Sequence, residues 1–415
     1  MHGVKREKPT AASEEARLAR KSKEAVKLAA YKEIESKVFQ AKKDRWYDDE
    51  SLQLTTNILT LNPELYTVWN FRRTILLHIF GTRLPRQASS HDIEGSKDIF
   101  SSLRESPSDS PSASSSSAGT KGKEFSSRDV NEAKRSYLET DLELTEHALR
   151  AHPKVYWIWN HRLWCLEELP QAGDQDPGLK WKVEMGLVDK MLQLDPRNFH
   201  GWDYRRTLTS RVASLMREGE SERESSTGIE FPRTLSELAW DPEVKALHLE
   251  LAKKELDYAL RKIESNFSNF SAWHQRSKLL PRVWDARGLD EDGRKQERIK
   301  ELELVKQAMY TDPSDQSVWI YHSWLIEQVP SRDILEEEIQ AIEELLELEP
   351  DSKWCMQSLA NYKVLLSKFV GSEGGEGVEE NLLSSARSHL EKLKDIDPDR
   401  RARYQYLLDN LGRGR

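Results

Sequence analysis

A short segment recurs along the chain, and most of its copies carry a tryptophan six residues after a proline position. The first copy runs from Pro63 to Trp69 and is followed by Arg72. In the fourth copy Phe267 replaces the proline, but the tryptophan and arginine keep their spacing. Recurrence of this kind is the signature of a stacked-repeat architecture, in which neighbouring units bury each other's apolar faces. The marker positions are Trp69, Trp159, Trp202, Trp273 and Trp319, followed by Met356 and Tyr404 in two degraded copies.

The segments that precede the motifs have apolar residues at helical spacing, as in residues 179–194 and 334–348. Proline disfavours helical geometry in the residue before it, so the first helix of each repeat should end at the proline position. The motif then lies on a second helix, whose tryptophan and arginine face neighbouring helices as scaffold residues. We therefore predict an all-α fold of about seven stacked helical hairpins, which form a single domain over residues 1–415.

Three stretches interrupt the repeats and are predicted to be flexible insertions. Residues 86–127 are rich in serine, and residues 217–240 begin with a polar, charged run. Such segments have too little apolar surface to support a core. The third stretch, 371–377, is rich in glycine. Residues 14–45 are helical in composition but strongly charged, which predicts a solvated helix.

The overall composition argues against several classes of function. The formal charge of −8 and the pI of about 5.9 provide no general attraction for nucleic acid. No apolar run is long enough for a membrane helix, and the amino terminus lacks the apolar stretch of a secretory signal. Cys165 and Cys355 lie far apart without metal-ligand spacing, so we interpret them as reduced thiols. The sequence predicts a cytoplasmic protein without stable membrane insertion.

The second copy of the motif carries residues that can do chemistry. No phosphate-cradling glycine loop, zinc-ligand cluster or nucleophile elbow occurs in the sequence, so a self-contained active site is not predicted. Lys154 and Tyr156, however, stand near the start of a predicted second helix. An ammonium, a phenol and a helix amino terminus can together stabilise the negative charge of a diphosphate. The alternative interpretation is a surface lysine beside a packing tyrosine.

The repeated proline, tryptophan and arginine pattern resembles the alpha-subunit repeat of protein prenyltransferases over about residues 49–411. Within that family the chain is most similar to alpha subunits of the Rab geranylgeranyltransferase, or type II, class. Residues 152–169 (HPKVYWIWNHRLWCLEEL) and 195–206 (DPRNFHGWDYRR) carry this similarity, together with the opening Met1-His2-Gly3. The proline-rich amino-terminal extension that is usual in farnesyltransferase alpha subunits is not evident.

The resemblance implies a right-handed, crescent-shaped superhelix of hairpins wrapped around a separate beta subunit. Such a complex transfers geranylgeranyl from its diphosphate to carboxyl-terminal cysteine thiols of Rab GTPases, which a Rab escort protein presents. The resemblance places the catalytic zinc in the beta subunit and not on this chain. Magnesium is a candidate companion of the diphosphate.

The resemblance also implies roles for individual residues. By motif position, Lys154 and Tyr156 correspond to the alpha-subunit residues that reach the isoprenoid diphosphate, where they would neutralise the leaving group. Asn198 and His200, at the next repeat's helix start, are candidates for the same interface. Asn198 could instead cap its helix, and Phe199 is interpreted as a core residue. No metal ligand is predicted on this chain, except that His2 is a candidate zinc contact in the partner's site.

Two other functions stay open at this point. The chain could serve farnesyltransferase or type I geranylgeranyltransferase, because the partner subunit largely selects the lipid and the protein substrate. It could also be a noncatalytic helical-repeat adaptor, since an adaptor needs only its repeat surface. Co-expression with a prenyltransferase beta subunit separates these alternatives, because an adaptor would yield no active heterodimer.

Overall fold

The computed structural model describes the chain in eight stretches, and the sequence-predicted insertions fall largely between them. Residues 86–126 and most of 217–240 lie outside the described residues. In the third predicted insertion Gly371 and Gly377 belong to the ends of two successive helices, and residues 373–375 between them are not described, so its flexibility stays a prediction. The described residues are 11–82, 127–170, 178–215, 231–232, 235, 242–328, 330–372 and 376–411.

The described part of the chain is helical and contains no strand, as the sequence predicted. It divides into two compact units, residues 1–176 and 177–415. The single domain over the whole length stays a prediction. The amino-terminal unit contains α1 (Ala11–Lys43), α2 (Asp49–Leu61), α3 (Tyr66–Thr82), α4 (Ser127–Ala151) and α5 (Tyr156–Glu168). The carboxy-terminal unit contains α6 (Leu179–Leu194), α7 (Phe199–Leu215), α8 (Pro242–Ser265), α9 (Phe270–Ala286), α10 (Glu291–Thr311), α11 (Gln316–Gln328), α12 (Arg332–Leu348), α13 (Lys353–Ser372), α14 (Glu376–Ile396) and α15 (Arg401–Asp409).

Consecutive helices from α2 onward pack in pairs, which gives the seven predicted hairpins within the described residues. The first helix ends where the sequence predicted. Asn62, which precedes Pro63, has φ −146° and ψ 90°, and its N–H donates to the carbonyl of Ile58. Asp195 and Asp312 have the same geometry before their prolines. The chain therefore leaves the helix at the residue whose backbone the proline restricts.

The spacing between the proline position and the tryptophan is the same in each of these repeats, and it has a direct structural cause. The indole N–H of Trp69 donates to the backbone carbonyl of Pro63 at 2.9 Å, and both residues are buried. In the fourth hairpin Trp273 donates in the same way to the carbonyl of Phe267, at 2.7 Å. The bond uses a backbone oxygen, which explains why a phenylalanine can replace the proline. The same bond recurs from Trp159 to Pro153, Trp202 to Pro196 and Trp319 to Pro313.

The arginine three residues after the tryptophan joins successive hairpins. Arg72 on α3 pairs with Asp141 on α4, and both side chains are buried. Arg205 on α7 pairs with Glu255 on α8, again across a hairpin boundary. A buried charge is tolerated only when it is paired and hydrogen-bonded. At Arg72 and Arg205 the repeated arginine is thus a scaffold residue, as the sequence predicted, and it contacts a carboxylate of the next repeat.

The last two hairpins keep the buried position but change the residue. Met356 and Tyr404 are fully buried and pack in one cluster with Leu390. Tyr404 donates its hydroxyl to Asp397 Oδ2 at 2.8 Å, so the acid before the proline replaces the backbone carbonyl as acceptor. The degraded copies are therefore real hairpins of the array.

Helix α1 is largely exposed, and Val38 and Ala41 are its buried apolar contacts. This confirms the predicted solvated helix. Among the residues that the structure describes, we find no helix with the length and apolar character needed to cross a membrane.

Candidate functional site

Lys154 and Tyr156 lie at an exposed helix start in the amino-terminal unit, where the sequence placed them. Lys154 is in the turn between α4 and α5, which is closed by the N–H of Val155 donating to the carbonyl of His152 at 3.2 Å. Tyr156 is the first residue of α5 and exposes 49% of its surface. The first-turn N–H groups of a helix have no intrahelical acceptors, and the helix dipole favours negative charge there. An ammonium, a phenol and these amides therefore belong to one helix start, and their binding of an anion stays a prediction.

Aromatic rings connect this helix start to that of the preceding hairpin. Tyr156 meets Trp157 edge to face with 5.2 Å between ring centres, and Trp157 packs against Tyr66 at the same distance. Tyr66 is the first residue of α3 and is exposed. The helix starts of the first and second hairpins are thus in contact through their aromatic residues.

Asn198 and His200 lie at the start of α7 in the carboxy-terminal unit. Asn198 is buried, and its Oδ1 accepts from the N–H of His200 at 3.1 Å and of Gly201 at 3.4 Å. This is the capping role that the sequence offered as an alternative. His200 is half-buried and packs against Phe199 with 3.9 Å between ring centres. Contact of Asn198 and His200 with a diphosphate stays a prediction.

The assignment of Phe199 to the core was wrong. Phe199 exposes 62% of its surface, and Phe270 at the equivalent position exposes 54%. The tryptophan three residues later turns back toward the helix start to reach the carbonyl of Pro196 or Phe267, and it fills the interior there. The aromatic at the first helical position is left on the surface. The repeated aromatic position therefore supplies an outward-facing row, whereas Trp202 and Trp273 are buried.

Sequence reasoning missed Arg197, which occupies the position of Lys154 in the next repeat. Both residues follow the proline position directly, at Pro153 and Pro196, and both are exposed. Aligning the copies on their prolines was sufficient to find it. The third hairpin thus also has a cation beside its helix start.

One cluster of potential metal ligands is present among the described residues, but it does not fit a metal. Asp141, His161 and Cys165 place ligand atoms within 4.8 Å of one another. The Asp141 oxygens accept from Arg72 at 2.5 and 2.9 Å, and His161 lies 2.8 Å from Asp141 and 3.2 Å from Arg73 Nε. Burial raises the pKa of the Cys165 thiol, which disfavours a thiolate ligand. The Asp141 carboxylate and the His161 ring are already hydrogen-bonded within the scaffold.

His2, the candidate contact to a partner's zinc, lies outside the described residues. Placement of the catalytic zinc in a beta subunit stays a prediction, as does magnesium.

The hairpin array and the helix starts define a class of helical-repeat protein with cationic and aromatic residues on one end of its second helices. The protein prenyltransferase alpha subunit repeat matches this chain at residues 48–79, 138–169, 181–212, 252–283 and 299–329. These five matches correspond to the five hairpins with a tryptophan at the marker position. The two carboxy-terminal hairpins follow them.

Curated relatives extend the similarity to nearly the whole chain. The geranylgeranyl transferase type-2 subunit alpha of Schizosaccharomyces pombe is 31% identical over 99% of this chain and 98% of its own length. The Candida albicans protein of the same name is 30% identical over 99% of this chain and 97% of its own length. The chain belongs to the family of geranylgeranyl transferase type-2 alpha subunits.

A solved structure shares the fold. A chain of the Candida albicans protein geranylgeranyltransferase-I complexed with GGPP aligns with a TM-score of 0.54. The alignment covers 92% of this chain and 91% of that chain at 19% identity. At that identity the similarity concerns the architecture alone, and it supports the all-α repeat fold.

Proposed function

We propose that this chain is the alpha subunit of a heterodimeric type-2 protein geranylgeranyltransferase. The observation that carries the proposal is the similarity to curated type-2 alpha subunits over nearly the full length of both chains. The proposed reaction transfers geranylgeranyl from its diphosphate to carboxyl-terminal cysteine thiols of Rab GTPases. We place the complex in the cytoplasm, with a Rab escort protein as the factor that presents the substrate.

The role of this chain in the reaction follows from the chemistry of the leaving group. A cysteine sulfur forms a bond to the first carbon of the lipid while the carbon–oxygen bond to diphosphate breaks, so negative charge grows on the diphosphate. Lys154 and Tyr156 offer a positive charge and a hydroxyl donor beside the amides that start α5. Interactions that strengthen as this charge develops accelerate the step. Asn198 and His200 are assigned a weaker, supporting contact at the same interface.

The proposed beta subunit supplies the zinc, for which no ligand set is assigned to this chain. Its zinc would hold the substrate thiolate, and magnesium would accompany the diphosphate where it is needed. Exposed aromatic residues at helix starts, such as Tyr66 in the amino-terminal unit and Phe270 in the carboxy-terminal unit, support a partner, because exposed apolar surface of this kind marks interaction sites.

Transfer assays on the co-purified complex test the proposal. The chain is co-expressed with type-2 and type-1 or farnesyl beta subunits, and each complex receives geranylgeranyl or farnesyl diphosphate with a Rab–escort or a carboxyl-terminal peptide substrate. We expect geranylgeranyl transfer to the Rab with the type-2 partner. Activity with only the other beta subunits would favour the farnesyl or type I alternative. A chain that forms no active heterodimer would support the adaptor.

A further inference from the structure

The exposed side of helix α1 carries a regular row of lysines. Lys21, Lys32 and Lys43 follow one another at intervals of 11 residues, and all three are exposed. Eleven residues make just over three turns of an α-helix, so residues at this interval lie nearly above one another. The rise per residue places about 33 Å between the first lysine and the last. The three ammonium groups therefore form a nearly straight line along the helix.

Apolar side chains alternate with these lysines. Leu28 and Phe39 are also 11 residues apart, and each stands one helical turn before a lysine of the row. Leu28 exposes 53% of its surface and Phe39 exposes 41%. Leu18, which exposes 61%, stands three residues before the first lysine. Cationic and apolar side chains thus share one exposed side of the helix. We call this set the α1 stripe: Leu18, Lys21, Leu28, Lys32, Phe39 and Lys43.

A different side of α1 anchors the helix to the first hairpin. Val38 and Ala41 are buried, and the side-chain amide of Asn62 donates to the hydroxyl of Tyr31 at 3.2 Å. Tyr31, Val38 and Ala41 follow one another at helical spacing and define the anchored side. This side lies about a third of the way round the helix from the α1 stripe. The stripe therefore stays accessible while the helix is held in place.

The charge of α1 is strongly positive, although the whole chain is acidic. Residues 16–43 contain nine lysines or arginines and three glutamates, whereas the formal charge of the chain is −8. Two of these glutamates are paired within the helix, Glu24 with Arg20 at 2.9 Å and Glu33 with Lys37 at 2.7 Å. The third, Glu35, is half-buried. Within the described part of the chain, the stripe lysines form no ion pair with a carboxylate. Their charge is thus available to an anionic partner.

We propose that the α1 stripe docks this protein reversibly on an anionic phospholipid surface, an inference that goes beyond the proposed transfer reaction. The lysines would contact the lipid headgroups, and the apolar side chains between them would enter the boundary with the acyl chains. A straight row of this length fits a flat surface, which can contact all six residues at once. A partner helix would need an unbroken apolar seam, and the lysines interrupt it. A nucleic acid would pair with the lysines but leave Leu28 and Phe39 in water.

Co-sedimentation of the full-length chain with lipid vesicles tests this assignment. Vesicles of phosphatidylcholine alone are compared with vesicles that also contain phosphatidylserine, each at low and at physiological salt. We expect binding to the phosphatidylserine vesicles only, and weaker binding at the higher salt concentration, because ions screen the attraction of the lysines. Lys21→Glu with Lys32→Glu should lower the partition coefficient at least about tenfold, since two attractive charges become repulsive.

The apolar half of the stripe is tested separately. Leu28→Ser with Phe39→Ser should also weaken binding to the phosphatidylserine vesicles, but should leave its salt dependence unchanged, because the lysines remain. Circular dichroism and thermal unfolding check that each variant is folded. Unchanged binding by the serine variant would overturn the assignment of Leu28 and Phe39 to the lipid contact.

The matched control is Lys23→Glu with Lys27→Glu, which makes the same change of net charge in the same helix. Both lysines are exposed, but they share the anchored side, since Lys27 stands 11 residues before Val38 and Lys23 stands five turns before Ala41. The control should bind vesicles nearly as well as wild type, because salt screens charges beyond a Debye length of about 8 Å. An equal loss in this control would attribute the effect to net charge and overturn the inference.

Two further outcomes would also overturn it. One is a wild-type chain that does not bind the phosphatidylserine vesicles. The other is a lysine variant of the stripe that binds them as wild type does. If that variant then fails to bind an RNA oligonucleotide or the proposed beta subunit that the wild type binds, the stripe is assigned to that partner instead. The vesicle measurement needs no partner subunit, so its result is independent of the proposed transfer activity.

Discussion

The guanidinium of Arg72 holds both carboxylate oxygens of Asp141, with Nη2 2.5 Å from Oδ1 and Nε 2.9 Å from Oδ2. The two residues belong to successive hairpins, and both side chains are almost completely buried. His161, from the same hairpin as Asp141, also contacts this carboxylate at 2.8 Å. Tyr321 and Arg276 hold Glu301 in the same way further along the chain. A buried carboxylate that is hydrogen-bonded by residues of two successive hairpins thus recurs along the array.

Replacing Arg72 with alanine should destabilise the amino-terminal unit strongly. The change leaves the Asp141 carboxylate buried without its ion-pair partner, and breaking such a pair typically costs about 3–5 kcal/mol. Chemical denaturation followed by circular dichroism measures the loss. Arg150→Ala is the control, because its pair with Glu146 is exposed and should contribute roughly 0–0.5 kcal/mol. Similar decreases in the free energy of unfolding for the two variants would contradict the stabilising role of the buried ion pair between Arg72 and Asp141.

Stability should fall as the pH decreases from about 6.5 to about 4. Burial, as the largest cause, lowers the pKa of His161 from 6.5 to about 4 in the folded chain. The unfolded chain therefore takes up a proton on this residue at a higher pH than the folded chain does, and protonation favours unfolding across that window. The pKa of Asp141, lowered to about 2 by Arg72 and His161 against its desolvation, adds a further loss below pH 4.

Urea denaturation at a series of pH values measures this dependence. His161→Gln provides the control, because a glutamine can accept from Arg73 and donate to Asp141 without titrating. Gln275 already occupies the equivalent position of the fourth hairpin. The slope between pH 6.5 and 4 should become shallower in the variant. An unchanged slope would assign the effect to other groups.

The indole hydrogen bond predicts that two substitutions in the fourth hairpin change the stability by different amounts. Trp273→Phe removes the donor to the carbonyl of Phe267 and leaves unfilled volume, so it should cost roughly 1–3 kcal/mol. Phe267→Pro keeps the carbonyl and restores the residue of the other tryptophan-containing hairpins, so it should change stability by less than about 1 kcal/mol. Thermal and urea denaturation of both variants test this. A severe loss for Phe267→Pro would show that the turn differs from its relatives.

The spacing of proline, tryptophan and arginine was sufficient to predict the hairpins because each residue acts within or beside its own repeat. Pro63 ends a helix locally, and Trp69 reaches back only to the same turn. The acid partners could not be assigned in this way. Asp141 is 69 residues from Arg72, and no spacing rule links them. Their proximity emerges only when the hairpins pack.

At the candidate site, too, the sequence predicted some features and missed others. The sequence located Lys154 and Tyr156 at a helix start, because the proline position fixes where the second helix begins. It assigned the wrong environment to Phe199, because periodicity identifies residues that share a face but not the direction of that face. Only the bond from Trp202 to the carbonyl of Pro196 shows which side is interior. The diphosphate contact stays a proposal, and it involves a proposed partner that this sequence does not encode.

Lys154→Ala and Tyr156→Phe should slow the chemical step of the proposed transfer without preventing assembly. Each removes a donor to a leaving group whose charge grows in the transition state, and loss of one such donor can cost on the order of 100-fold in rate. Single-turnover transfer in the intact heterodimer isolates this step from product release. Both side chains are exposed, so the thermal stability should be close to that of wild type.

Glu64→Ala provides a control at the same turn position of the first hairpin, where the side chain is also exposed and no cation is present. It should leave the single-turnover rate unchanged. Arg197→Ala, at that position in the third hairpin, is measured in parallel, because Arg197 is also an exposed cation beside its own helix start. Wild-type rates for Lys154→Ala and Tyr156→Phe would remove both residues from the site. A loss restricted to those two variants would confine diphosphate binding to the start of α5.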